Sequence, residues 1–177
     1  MLQERIEGKW IDCFARVFAK CKVEPGEAVA ILSESQSRAI NVQLAELALH
    51  QLGAQPFHIV IPTPAQSAPV PVRSTGASDV IQNIRPVVGA LASTAFVVDC
   101  TVEGLLHAPE LPEILQGGAR VLMVSNEHPE ALERLAPDDA LEGRVKAGMK
   151  MLRGAGAMKI TSRAGSDLSV DLDGAVA

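Results

Sequence analysis

The sequence has no concentration of positive charge. Its 177 residues include 16 Lys or Arg and 21 Asp or Glu, which gives a formal net charge of −5, and the two signs are interspersed. Proteins that bind nucleic acid need a basic patch or stripe, and proteins that bind membrane surfaces carry basic residues beside an apolar helix. We therefore expect neither nucleic acid nor a membrane as a partner, whereas a small ligand stays open.

Long apolar runs are missing as well. No stretch approaches the roughly 20 apolar residues that a membrane-spanning helix needs. The first 23 residues, MLQERIEGKWIDCFARVFAKCKV, have acidic residues near their start and no unbroken apolar segment. This pattern is unlike that of a secretory signal, so the sequence predicts a cytoplasmic protein.

Cysteine is scarce, and its spacing suits neither a disulfide nor a metal site. The three cysteines are Cys13, Cys21 and Cys100, and no two of them form a CxxC pair. If Cys13 and Cys21 share a helix, they lie about 12 Å apart along its axis at about 1.5 Å per residue, beyond the reach of a disulfide. We predict three free thiols and neither a zinc site nor a thioredoxin-like centre.

Common motifs for nucleotides and metals are also absent. The sequence contains no GxGxxG and no GxxxxGK[ST], the patterns typical of dinucleotide and P-loop sites. The four histidines are scattered, without an HxH or HExxH motif, so we find no self-contained metal site. The serines of SESQS, after the first predicted strand, either bind an anion at a helix N-terminus or cap that helix.

What is present is an alternation of short apolar strands with helices. AVAILS and AFVVD predict buried strands, and PFHIVIP and RVLMVS predict two further strands. Residues 2–22 carry apolar side chains every three or four positions, which predicts an amphipathic helix. Such alternation is typical of a mostly parallel sheet covered on both faces. We therefore predict an α/β fold, a three-layer Rossmann-like or flavodoxin-like domain.

Two segments depart from this pattern. Residues 62–78 are rich in Pro and Ser and cannot be regular structure, so they would form a lid or a connector. At the other end, ITSRAGSDLSVDL predicts a strand, a turn and a second strand with alternating apolar and polar residues. We place the α/β domain at residues 1–160 and expect residues 161–177 to begin a strand pair of a second domain.

The loop after AFVVD carries the residue best placed for chemistry. Its sequence sets His107 after Leu105 and Leu106. Open parallel sheets bind ligands outside the carboxyl ends of their strands, and His107 follows one such end. A neutral imidazole can take or give a proton near pH 7, and Asp99 at the strand tip is the nearest acid that could orient it. The same sequence context also fits a histidine that only caps a helix or faces solvent.

Four stretches together carry a resemblance to a known family. They are VEPGEAVAIL, VVDCTVEGLLHAPE, LERLAPDDALEGRVKAGMKML and KITSRAGSDLSVDL. They resemble the N-terminal half of the 2,5-dihydroxypyridine 5,6-dioxygenases, mononuclear iron(II) enzymes that cleave the pyridine ring and that are similar to metalloaminopeptidases of the aminopeptidase T type. The LLHAPE loop and the SRAGSD turn are the most specific parts of this similarity.

The resemblance implies a function for the histidine loop. It implies that His107 is the catalytic acid or base beside a small dihydroxylated aromatic substrate, and that Leu105 and Leu106 bind this substrate and exclude water. It also implies an Fe(II) cofactor and dioxygen as the second substrate. The iron ligands would come from a C-terminal half, which residues 161–177 would begin, so we assign no metal ligand within this chain and expect it to be inactive alone.

Alternatives to this function stay open. One is a metalloaminopeptidase of the aminopeptidase T type, which hydrolyses an N-terminal residue with two metals. Another is a non-catalytic α/β module for binding or oligomerisation. Dioxygen uptake with iron would distinguish the dioxygenase from a peptidase that hydrolyses a leucyl anilide. The amphipathic first helix is compatible with a homo-oligomer in each case.

Overall fold

A computed structural model describes residues 5–65, 76–136 and 138–175 of the chain. The first part of the fold contains nine elements: α1 Gly8–Lys20, β1 Ala28–Glu34, α2 Ala39–Gln51, β2 Gln55–Ile61, α3 Arg85–Ala92, β3 Phe96–Asp99, α4 Leu111–Gln116, β4 Arg120–Met123 and α5 Pro129–Arg134. The rest contains α6 Leu141–Arg153, β5 Ala157–Thr161 and β6 Asp167–Asp171. None of the described helices is long and apolar enough to cross a membrane.

The structure divides the chain into two compact units, Met1–Ala136 and Pro137–Ala177. The predicted boundary after residue 160 falls inside β5 and is not where this division lies. Sequence alternation located the hairpin correctly, but helix α6 is grouped with it in the second unit. Whether this unit begins a metal-binding domain stays a prediction.

Four parallel strands form the sheet of the first unit, in the order β2-β1-β3-β4. Their register sets Leu32 of β1 opposite Asp99 of β3, and Asp99 in turn opposite Met123 of β4. This order matches the first four strands of the flavodoxin-like arrangement. The predicted α/β class and the mostly parallel sheet are therefore confirmed.

Apolar side chains are buried on both faces of the two central strands, β1 and β3, whereas the edge strand β2 is largely exposed. Alternate residues of a strand point to opposite faces, so Ile31 and Val98 face one side, whereas Leu32 and Val97 face the other. Helices α1 and α2 pack on the first face, mainly through their buried residues Phe14, Phe18, Ile40, Leu44, Ala48 and Leu49. Helices α3 and α4 supply the second face, with Val88, Leu91 and Ile114.

The first helix is shorter than the predicted 2–22. Glu7 has extended backbone angles, and α1 runs from Gly8 to Lys20. Its apolar stripe lies in the core, as amphipathic spacing predicts. Residues 2–4 of the predicted helix lie outside the described residues.

The three cysteines are free thiols, as predicted. Cys13 and Cys100 are buried and Cys21 is partly buried. Burial raises the pKa of all three thiols. These groups are therefore poor nucleophiles, because the thiolate is the reactive form.

The second unit contains an antiparallel hairpin. Its register pairs Ile160 with Leu168 and Met158 with Val170, so these four side chains share one face of the hairpin. Gly165 in the turn has φ +95°, a conformation that favours glycine. The predicted pair of strands around the SRAGSD turn is confirmed.

Candidate active site

The carboxyl ends of β1 and β3 lie side by side in the middle of the sheet. From β1 the chain passes to β2 on one side, whereas β3 lies on the other side, so the strand order reverses at this point. Such switch points open the crevices in which α/β proteins bind ligands. The loop that leaves β3 here, residues 100–110, carries His107.

Asp99 ends β3 with a fully buried carboxylate. Its Oδ1 accepts hydrogen bonds from the Thr101 backbone N–H at 3.0 Å and from the Thr101 hydroxyl at 2.6 Å. Its Oδ2 accepts the Leu105 backbone N–H at 2.7 Å. The acid that was expected to orient the imidazole of His107 therefore holds the backbone of the loop instead.

Burial raises the pKa of the Asp99 carboxyl above its ordinary value. The hydrogen bonds from Thr101 and Leu105 oppose this shift because they stabilise the charged form, and the negative charge of Glu34 adds to it. Desolvation is the larger effect, as expected for a carboxyl group with no access to solvent.

Glu34 is a second buried acid at this edge of the sheet, at the end of β1. It is 5% exposed, and its Oε1 accepts the Val102 backbone N–H at 2.6 Å. The loop is thus bonded to side chains from both central strands.

The SESQS serines do not cap helix α2, whose first turn has no side-chain cap. The Ser37 hydroxyl accepts the Glu34 backbone N–H at 2.8 Å and donates to the Cys100 carbonyl at 2.7 Å. It therefore ties the ends of β1 and β3 together instead of capping a helix. Helix α2 begins after Arg38, whose backbone N–H donates to the Asn126 side chain at 2.7 Å.

The two leucines of the loop have different surroundings. Leu105 is 1% exposed and joins the core on the α3 and α4 face of the sheet. The side chain of Leu105 is covered by core residues, and its predicted contact with substrate stays a prediction. Leu106, in contrast, is 57% exposed, and His107 is also exposed. The structure therefore presents Leu106 and His107 together at the carboxyl edge of the sheet.

The last residues of the Pro/Ser-rich segment, 76–78, lie along this loop. The Gly76 carbonyl accepts the His107 backbone N–H, and the Gly76 N–H donates to the Glu103 carbonyl at 2.6 Å. Two residues later, the Ser78 N–H donates to the Gly104 carbonyl at 2.9 Å. Residues 66–75 of the predicted lid or connector lie outside the described residues, but its end is bonded to the histidine loop.

Gly76 approaches the exposed pair too closely for any other residue. Its φ is +76°, and an added Cβ would lie 2.9 Å from the Leu106 Cβ and 3.2 Å from the His107 Cδ2. A side chain here would displace one or both residues. Because Gly76 has no side chain, its backbone can pack directly against Leu106 and His107.

Comparison with known proteins decides the family. A family model described as 2,5-dihydroxypyridine 5,6-dioxygenase (NicX) matches residues 9–177. The chain belongs to the 2,5-dihydroxypyridine 5,6-dioxygenase family.

Two proteins illustrate this membership. The 2,5-dihydroxypyridine 5,6-dioxygenase of Pseudomonas putida KT2440 is 30% identical over 162 residues, which cover 90% of this chain and 45% of the relative. A solved structure of 2,5-dihydroxypyridine dioxygenase from the same strain has a TM-score of 0.77 at 28% identity, over 92% of this chain and 46% of that one. The chain thus spans about half the length of these relatives, and the predicted similarity to their N-terminal half is confirmed.

The other histidines of this dioxygenase-family chain lie away from the loop. His50 and His58 lie 3.9 and 3.4 Å from carboxylate oxygens of Glu46. His128 caps α5, where its Nδ1 accepts the Glu130 N–H at 3.3 Å. In residues 5–65, 76–136 and 138–175, no group of three or more His, Cys, Asp or Glu is arranged to hold a metal ion. The described residues therefore do not fit an iron centre by themselves.

Neither Glu34 nor Gly76, which contact the loop in this structure, was identified from the sequence. A weak signal existed for Glu34, because an acid at the end of a buried apolar strand needs a partner. Gly76 carried no comparable signal, since its role depends on contacts with residues about 30 positions later in the chain.

Gly104→Ala tests how tightly the loop is packed. Gly104 has φ +79°, and a Cβ there would overlap the Met123 side chain. We expect the substitution to lower the free energy of unfolding by about 2 to 4 kcal/mol, from backbone strain plus overpacking. The matched control is Gly118→Ala, which has φ +96° and open space around the new Cβ, and which should cost only about 1 to 2 kcal/mol. Urea denaturation measures both, and equal costs would contradict the packing.

Proposed function

We propose that the protein to which this chain belongs is a ring-cleaving dioxygenase that uses iron(II) and dioxygen. Its substrate would be 2,5-dihydroxypyridine or a similar dihydroxylated aromatic heterocycle. Family membership over residues 9–177 supports the reaction class, and the dioxygenase description of both relatives favours it over the aminopeptidase alternative. The observation that carries the proposal is the exposed Leu106–His107 pair on a braced loop at the switch point of the sheet.

His107 is the proton-transfer group in this proposal. A dihydroxylated ring must lose a hydroxyl proton to become electron-rich enough to react with dioxygen. An exposed imidazole on a fixed loop can accept that proton from a hydroxyl group within hydrogen-bond reach. Its backbone N–H, bonded to the Gly76 carbonyl, sets where the ring of His107 can point.

Leu106 supplies the apolar surface of the proposed site. Its side chain is 57% exposed and is therefore available for contact with the flat face of an aromatic ring. Contact with substrate would also remove water from the neighbourhood of the imidazole. We assign no such contact to Leu105, which lies in the core.

Iron would be held by residues outside this chain. The metal would supply coordination of the substrate oxygens and activation of dioxygen. The described residues provide no metal centre, so we propose that these 177 residues alone are inactive. The predicted homo-oligomer and cytoplasmic location remain predictions.

Removing the imidazole tests its role. In the complete protein with Fe(II) and 2,5-dihydroxypyridine, His107→Ala should lower kcat by about 10² to 10⁴-fold, the usual contribution of a positioned acid or base. The matched control is His50→Ala, another exposed histidine, on helix α2, which should leave kcat within about twofold. Dioxygen uptake measures both. Equal turnover by His107→Ala and wild type would remove the proposed role.

Truncation of Leu106 tests the apolar contact. Leu106→Ala should raise KM by about 5- to 30-fold, since the lost burial is worth about 1 to 2 kcal/mol. Leu115→Ala is the control, because Leu115 is a similarly exposed leucine, 47% exposed, on helix α4. Steady-state kinetics would separate the two, and an unchanged KM for Leu106→Ala would place the substrate elsewhere.

A further inference from the structure

We infer that Asp99 and Glu34 are positioning residues. Their buried carboxyl groups hold the backbone of the loop and so fix the positions in which Leu106 and His107 meet the substrate. This inference rests on the proposed function of His107. Neither acid is expected to touch the substrate, because both are almost completely buried.

Asp99 spans most of the loop with one side chain. Its two oxygens bind Thr101, at the start of the loop, and the Leu105 N–H, directly before the exposed pair. These hydrogen bonds, at 2.6 to 3.0 Å, engage both oxygens of one buried carboxyl group. The position of the Leu105 nitrogen is therefore fixed relative to the end of β3. This constrains the backbone of the next two residues, Leu106 and His107.

Glu34 adds a second anchor from a different strand. It binds the Val102 N–H at 2.6 Å, so the loop is held by β1 as well as β3. The Thr101 hydroxyl, which donates to Asp99, also accepts the Gly104 N–H at 3.2 Å. Four buried backbone donors of the loop, at residues 101, 102, 104 and 105, thus depend on the two acids directly or through one hydroxyl group.

A neutral isostere cannot make the same set of bonds at Asp99. All three of its partners are donors, at the Thr101 nitrogen, the Thr101 hydroxyl and the Leu105 nitrogen. Asparagine has one acceptor oxygen and one NH₂ group, so its NH₂ would face a backbone N–H. Glutamine at position 34 differs, because it can still accept the single bond from Val102. The geometry therefore predicts unequal effects of two chemically matched substitutions.

The backbone carbonyl of Asp99 also bonds the chain that follows the neighbouring strand, β4. Its carbonyl accepts the Val124 N–H at 2.8 Å and the Ser125 N–H at 2.9 Å. The Ser125 hydroxyl donates to the Val102 carbonyl at 3.2 Å. The loop, β1, β3 and the end of β4 are thus joined around one residue.

Asp99→Asn in the complete protein is the direct test. We expect kcat to fall by about 10- to 100-fold, since a displacement of about 1 Å can cost 10² in rate. Amide hydrogen exchange in peptides covering residues 101–107 should become faster by at least about tenfold. Glu34→Gln should lose less activity than Glu34→Leu, which removes the acceptor altogether.

A buried polar residue at the other end of β3 is the matched control. The Thr94 hydroxyl donates to the Leu91 carbonyl at 2.8 Å and is buried. Thr94→Val should lower overall stability while leaving exchange of the histidine loop and kcat near wild type. If Thr94→Val reproduced the effects of Asp99→Asn, the role of Asp99 would be general stability and the inference would be overturned.

A double variant separates this inference from the proposed function. If Asp99 acts through His107, adding Asp99→Asn to His107→Ala should lower kcat by less than about threefold further. Unchanged loop exchange in Asp99→Asn would overturn the positioning role while His107 could still act in catalysis. Suppose instead that Asp99→Asn speeds loop exchange while His107→Ala has no effect on turnover. That result would overturn the proposed function, whereas the role of Asp99 in holding the loop would stand.

A milder variant covers the case in which Asp99→Asn does not fold. Thr101→Val removes the hydroxyl, which donates to Asp99 at 2.6 Å and accepts the Gly104 N–H at 3.2 Å, and keeps the backbone bond from Thr101 to Asp99. This variant should speed amide hydrogen exchange in residues 101–107 and lower kcat. Both effects should be smaller than those of Asp99→Asn. Exchange and kcat equal to wild type would overturn the inference.

Discussion

The candidate site depends on the hydrogen bonds that the buried carboxyl group of Asp99 accepts from its own loop. A buried charge without partners costs several kcal/mol, so the chain around it must supply donors from fixed directions. Thr101 and Leu105 supply them, and the loop backbone is fixed as a result. The core side chain of Leu105 and the exposed side chains of Leu106 and His107 follow from that geometry.

The sheet explains why this arrangement arises at this point. Its central strands end side by side where the strand order reverses, so side chains from both can reach one loop. Gly76 packs against Leu106 and His107 of this loop and leaves no room for a side chain of its own. An apolar surface and an imidazole are thus displayed at an edge that α/β proteins commonly use for ligands.

Much of the fold could be predicted from local pattern, because buried parallel strands are continuous apolar runs and the hairpin alternates with period two. His107 could be picked out since its position after a strand end is visible in the sequence. The placement of Leu105 could not, because two adjacent leucines in an aperiodic loop are equivalent until Asp99 fixes the backbone. The division after Ala136 differs from the predicted boundary for a similar reason, since it depends on contacts between elements and not on composition.

The structure of the complete protein with 2,5-dihydroxypyridine bound tests the central claim most directly. We expect an imidazole nitrogen of His107 at about 2.6 to 3.2 Å from a substrate hydroxyl, the reach of a general base, with Leu106 against the ring. Asp99 should still hold Thr101 and Leu105. A substrate bound away from the carboxyl edge of β3, with His107 in solvent, would contradict it.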